Sequence, residues 1–125
     1  QQRSQSGWQT VEEPLDVSAV LRQYATTPVL LDCLTLWLTN LLLAECDVEG
    51  PVQALLASLN VRKAPTVMVG NEVGLGIVPQ SPLGRRFRDE AGLLHQRLAA
   101  CMGKVVFVAA GLPLVLKNTG MPSQA

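Results

Sequence analysis

No G-x-x-x-x-G-K-[ST] phosphate loop occurs in the chain, and the run Val73 to Pro79, VGLGIVP, fails the G-x-G-x-x-G spacing of a dinucleotide fingerprint. A nucleotide site cannot be completed by these residues alone. Cysteine is scarce and odd in number. Cys33, Cys46 and Cys101 have no metal-ligand spacing, which points to reduced core thiols in a cytoplasmic protein. An excess of either charge is also missing: ten Lys and Arg balance ten Asp and Glu, for a formal net charge of zero. That argues against a large nucleic-acid footprint but leaves room for a local basic cluster. The longest apolar runs are interrupted by Asp32, Asn40 or Gly111 and are too short or too polar for a membrane span. A secretory signal pattern is absent. What remains is 125 residues, 48% of them hydrophobic, enough for one domain with its own core. The first residue is Gln1 rather than methionine, and we expect a chain cut from a longer parent.

Apolar spacing and turn residues predict an alternation of strands and helices. Trp8 to Glu12 reads as a short strand. Pro14 suits a first helical turn, with Leu15, Val17, Val20, Leu21 and Tyr24 following at helical spacing up to Thr27-Pro28. Val29 to Leu31 is a short strand closed by Asp32. Leu34 to Ala44 is a nearly all-apolar helix, expected to be buried on most sides. Gly50-Pro51 restarts a helix to about Val61, and Pro65 introduces a strand from Thr66 to Gly70. A long amphipathic helix spans Ser81 to about Met102. Lys104 to Ala110 reads as a buried strand, and Leu112 to Lys117 as a last one containing Pro113. The tail, residues 118–125, reads as disordered. Strands written as Val/Leu runs between helices predict a mostly parallel sheet with helices on both faces, in a single α/β domain.

The densest stretch of chemistry runs from Asn71 to Arg97. The strand before it delivers Asn71 and Glu72 to its C-terminal end, the edge where open parallel sheets bind ligands. Gly74 and Gly76 are expected to take positive φ or to let the backbone approach a ligand. Asp32 has two readings. An acidic residue ending an apolar strand is the Walker B arrangement that helps hold Mg²⁺, and aspartate is also a favoured N-cap for the helix beginning at Leu34. Asn40 is expected to cross-link that helix to the sheet. Glu12 and Glu13 could accept hydrogen bonds from a nucleoside, or could simply favour a helix N-terminus. Arg85, Arg86, Arg88 and Arg97 could meet phosphate, but neighbouring Asp89 and Glu90 favour a solvated, ion-paired face. His95, the sole histidine, lies mid-helix with no partner at ligand spacing and reads as a surface or packing residue.

Five blocks in order carry a family resemblance: GWQTVEEPLD (Gly7 to Asp16), LLDCLTLWLTNLLL (Leu30 to Leu43), NEVGLGIVPQSPLGRRFRDEAG (Asn71 to Gly92), HQRLAA (His95 to Ala100) and AAGLPLVLK (Ala109 to Lys117). They resemble the C-terminal two-thirds of the bifunctional adenosylcobinamide kinase / adenosylcobinamide-phosphate guanylyltransferase of cobalamin biosynthesis. The resemblance implies a RecA-like P-loop fold, truncated here at its N-terminus, and a cytoplasmic homotrimer. It implies phosphorylation of adenosylcobinamide with ATP or GTP and Mg²⁺. It further implies transfer of GMP from GTP, through a guanylylated histidine, to give adenosylcobinamide-GDP. Counted back from Trp8, the nucleophilic histidine falls just before Gln1 and the phosphate loop further upstream. The fragment alone is therefore expected to be inactive. By the same resemblance, Gln1, Gln2, Arg3, Ser4, Glu12 and Asp32 contact nucleotide, with Asp32 as the Mg²⁺ carboxylate. His95 stands where the family motif commonly has asparagine, so it is a departure from the pattern. The alternative is a truncated, non-catalytic homologue serving as a nucleotide-binding or assembly subunit.

Overall fold

A computed structural model describes residues 7–119. The order is α1 (Val17–Gln23), β1 (Val29–Asp32), α2 (Leu34–Leu43), α3 (Glu49–Val61), β2 (Thr66–Val69), α4 (Pro82–Cys101), β3 (Lys104–Ala109) and β4 (Leu112–Asn118). β1 and β2 pair in parallel, Val29 opposite Thr66 through Asp32 opposite Val69. β3 and β4 pair antiparallel, with a register shift between Val105 and Val106. The expected single, mostly parallel sheet is thus not formed among the described residues: there are two separate two-stranded ladders. β3 was expected to be buried. It alternates instead, with Val105 and Phe107 half-buried and Val106 and Val108 exposed.

The core lies between helices. Leu34, Trp37, Leu38, Leu41 and Leu42 of α2, Val52 and Leu55 of α3, and Ala91, Leu94 and Leu98 of α4 form one buried cluster. Val17 and Leu21 of α1 join it, and Val29, Leu31 and Met68 of the parallel strands pack against it. The α4 residues recur at intervals of three and four, the spacing that places them on one face. α2 is less enclosed than its composition implies, because Leu36 and Leu43 are exposed.

Local chemistry sets the helix limits. Asp16 accepts a hydrogen bond from the Ala19 N–H and caps α1, so Pro14 lies ahead of the helix rather than in its first turn. Ser81 accepts from the Gly84 N–H and Pro82 occupies the first turn, which fixes the start of α4. No strand forms at residues 8–12. An extended segment needs a ladder partner, and none of the described strands pairs with it. α2 grips the following residues: Trp37 Nε1 donates to the Leu15 carbonyl at 2.7 Å and Asn40 Nδ2 to the Pro14 carbonyl at 3.1 Å. Asn40 therefore ties its helix to this segment, not to the sheet. At the other end, β4 includes Asn118, and Thr119 N–H reaches the Gly103 carbonyl. The rest of the tail, residues 120–125, lies outside the described residues.

Candidate functional site

The parallel register brings the C-terminal ends of β1 and β2 side by side, with Asp32 opposite Val69. Chain continuity then puts Cys33 and α2 at one strand end and Gly70, Asn71 and Glu72 at the other. Asp32 is exposed and terminates its strand. The peptide between Asp32 and Cys33 is cis. The α2 cap position belongs to Cys33, whose side chain makes no cap hydrogen bond, and Asp32 stands one residue ahead of it.

A polar stitch crosses the two strand ends. Asn71 Nδ2 donates to Thr35 Oγ1 at 3.1 Å, and that hydroxyl lies 3.4 Å from Cys33 Sγ. Thr35 is buried in the first turn of α2. Beyond Asn71, Glu72 Oε1 accepts the Gly74 N–H at 2.7 Å. A Cβ at Gly74 would lie 3.0 Å from that oxygen, so glycine here admits the carboxylate. Neither Gly74 nor Gly76 has positive φ, which removes the first of the two roles expected of them; among described glycines only Gly7 and Gly111 do. Gly76 faces open space. The loop projects Leu75, Ile77 and Val78 outward, Ile77 being 98% exposed.

On the other side of β1 lies a groove of about 610 Å³, bordered by Trp8, Val11, Glu13, Asp32, Trp37 and Asn40 among others. That volume is within the usual range of small-molecule sites, about 300–1,000 Å³. Glu13, not Glu12, borders it. The Glu13 carboxylate already accepts from the Leu15 and Asp16 N–H groups, so it serves the turn before α1. Glu12 is exposed and outside the groove lining. Gln1, Gln2, Arg3 and Ser4 lie outside the described residues.

The arginines divide among different partners. Arg88 pairs with Asp89 at 3.0 Å, and Arg97 pairs with Glu49 of α3 at 3.0 Å. Arg85 instead donates to the Pro79 and Gln80 carbonyls and so folds the end of the site loop onto α4. Sequence reasoning missed Arg62. Its guanidinium donates to Thr66 Oγ1, to the Leu21 and Tyr24 carbonyls, and to the Thr27 carbonyl. It closes the C-terminal end of α1 against the start of β2. Such a distributed set of carbonyl partners has no local sequence signature.

An exposed carboxylate ending one parallel strand, amide and carboxylate groups at the end of its neighbour, and a groove alongside define an α/β protein with a strand-end site. The chain belongs to the cobinamide kinase / cobinamide phosphate guanyltransferase family, which it matches over residues 1–116. It is 48% identical over 122 residues to the bifunctional adenosylcobalamin biosynthesis protein CobP of Pseudomonas aeruginosa, covering 93% of this chain and 69% of that protein. The bifunctional adenosylcobalamin biosynthesis proteins CobU of Salmonella typhimurium and Escherichia coli K12 are 35% and 36% identical over 127 residues. Each alignment covers 88% of this chain and 70% of the relative.

Proposed function

We propose that this chain supplies the strand-end half of a bifunctional adenosylcobinamide kinase / adenosylcobinamide-phosphate guanylyltransferase, with ATP or GTP as the phosphoryl donor and GTP as the source of GMP. The observation that carries this is the gathering of Asp32, Thr35, Asn71 and Glu72 at adjacent ends of two parallel strands, in a chain of this family. In this reading Asp32 is the carboxylate toward Mg²⁺. No group of three or more His, Cys, Asp or Glu that could hold a metal is found among the described residues. That suits Mg²⁺, which is commonly held by one or two carboxylates together with substrate phosphates and water. When bound, the ion neutralises charge on the phosphates. Thr35 and Asn71 keep the two strand ends in register beside it, and Glu72 braces the turn that follows.

The same reading places the chain in a RecA-like P-loop fold, as the C-terminal portion of that domain. Support comes from the two unjoined ladders. β2 and β3 each pair on one side only among the described residues, and Val67, Val69, Val106 and Val108 are exposed. A strand leading into a phosphate loop would pair with such an edge. Gln1 to Ser4 and Glu12 contact nucleotide in this reading. The projecting Leu75, Ile77 and Val78 fit a subunit contact in a homotrimer, since contiguous exposed apolar residues mark interaction sites. No described helix is long and apolar enough to cross a membrane; the cytoplasmic location in this reading rests on the family resemblance. Without the phosphate loop or the histidine, the chain alone performs neither reaction.

The test uses GTP labelled in its α-phosphate. The chain alone should form no acid-labile protein-bound GMP. Fused to the upstream segment of the Pseudomonas aeruginosa relative, it should become labelled and phosphorylate adenosylcobinamide. Labelling of the chain alone, or a folded fusion that stays inert, would overturn the reading.

A further inference from the structure

His95 is half-buried beside the buried stripe of α4, four residues after Ala91 and three before Leu98, the helical intervals that share a face. Its imidazole is directed at the C-terminal end of β2. A Cβ built on Gly70 would lie 2.7 Å from His95 Nε2 and 3.5 Å from both Cδ2 and Cε1. The Nε2 end of the ring therefore points at the Gly70 α-carbon. That atom is solvent-inaccessible, and it is the one such buried side-chain nitrogen or oxygen without a hydrogen-bond partner among the described residues. Gly70 fills the space where a partner would stand.

Two consequences follow from ordinary hydrogen-bond chemistry. A ring N–H aimed at this point would be a buried donor without an acceptor, a costly arrangement. An Nε2 lone pair there is tolerated, because a backbone Cα–H is a weak donor. Of the two tautomers open to an uncharged ring, the geometry therefore favours the one that carries its proton on Nδ1. Residue 70 must also be glycine for the ring to seat at all, since any Cβ would displace either the ring or the strand end.

We propose that His95 is a positioning residue of the strand-end site. By seating against Gly70 it fixes the exit of β2, and so holds Asn71 where its amide meets Thr35. Asn71 is thereby clamped from two sides: its side chain by Thr35 of α2, and its preceding backbone by His95 of α4. The role of Asn71 in the reaction rests on the function proposed above. The placement of Asn71 by His95 does not, and it is measurable with no nucleotide present.

The experiment is NMR on the full, ¹⁵N-labelled chain. Its single histidine makes the imidazole signals unambiguous. The unmodified chain should show His95 protonated at Nδ1 and bare at Nε2. In His95→Ala, which removes the ring that seats against Gly70, the Asn71 side-chain amide pair should move toward free-amide positions. Its hydrogen exchange should speed by about tenfold as the bond opens more often. Gly70→Ala, which displaces the ring or the strand end, should act in the same direction. His95→Gln, whose side chain reaches the Nε2 position, should restore the amide signals. A proton on Nε2 in the unmodified chain, or an Asn71 amide pair unmoved in a folded His95→Ala, would overturn the proposal. The tautomer reading needs no variant, so it stands as a test even if a variant fails to fold.

Discussion

Asn71 Nδ2 and Thr35 Oγ1 meet at 3.1 Å, joining the loop after β2 to the first turn of α2 across 36 residues of sequence. Thr35 is 5% exposed, so water competes poorly for the bond. The ladder sets the two strand ends side by side, and this pair ties the loop that leaves β2 to the start of α2.

Thr35→Val removes that hydroxyl while keeping the side chain's shape. It should cost about 1 kcal/mol or slightly more, the net value of one hydrogen bond, since Asn71 is exposed and can turn to water. Thr35→Ser should lose much less. Urea unfolding midpoints at constant m-value would check the stability term. In the fusion described above, Thr35→Val should lower turnover more than it raises the KM for GTP, because a misplaced site loop affects positioning in phosphoryl transfer. Equal midpoints for the valine and serine variants would show that the bond contributes nothing.

Arg62 gives a larger expected effect. Its guanidinium serves four acceptors on three segments. Hydrogen bonds involving a charged group are each worth about 1.5–3 kcal/mol, so Arg62→Ala should destabilise the chain by at least about 2 kcal/mol. Arg62→Lys should recover only part of this, because an ammonium cannot reproduce the planar fork. Thermal unfolding of the three proteins would rank them. Lysine performing as well as arginine would mean that charge, not geometry, holds the α1 end.

Elements with strong local rules were legible in the sequence. Asp32 at the end of an apolar run, Ser81-Pro82 at a helix start and the 3–4 spacing of Ala91, Leu94 and Leu98 each have a local cause, and the structure places them accordingly. Tertiary partners were not legible. Residues 8–12 carry strand-forming types but have no ladder partner. Asn40 finds the Pro14 carbonyl rather than the sheet, and Gly74 of the site loop answers to a neighbouring carboxylate rather than to positive φ. The contact between His95 and Gly70 spans 25 residues and shows only in three dimensions. Glycine there had no turn to explain it, which was the one available hint.

Glu49 offers a pH-dependent check on helix packing. Its pKa lies below the usual value of 4.5, chiefly through the hydrogen bond from Gln53 and then that from Arg97. A carboxyl depressed in the folded state stabilises the fold above its unfolded pKa, and this is lost as pH falls through the folded value. Both partners are at the surface, so the effect should be small and should shrink with added salt. Glu49→Gln should therefore flatten the acid limb of the stability profile below about pH 4.5 at low salt, and should change it little at high salt. An unchanged acid limb at low salt would show that the contacts from Gln53 and Arg97 do not persist in solution.

The open strand edges set the final expectation. β2 and β3 each carry unpaired backbone groups along one side among the described residues, and their exposed positions include Val67, Val69, Val106 and Val108, with Lys104 the one charged side chain on either strand. β4 adds Leu112 and Leu114 on one face, with Leu116 exposed at the register shift. Unprotected apolar edges are templates for pairing with another chain. Typical domains retain only about 5–15 kcal/mol of stability, so a few poorly satisfied groups at about 1–3 kcal/mol each matter. The chain alone should therefore self-associate, as a trimer or as larger aggregates, and should unfold at low urea. Adding in trans the part of the Pseudomonas aeruginosa relative that this chain does not cover should raise the unfolding midpoint and reduce aggregation, if it carries the strand proposed above for these edges. Val67→Lys, which places a charge on the exposed face of β2, should reduce association without repairing stability. Sedimentation equilibrium combined with urea unfolding separates the outcomes. A monodisperse monomer with a cooperative transition and ordinary stability would mean that the edges need no further strand, and would favour a self-sufficient binding or assembly subunit over half of an enzyme.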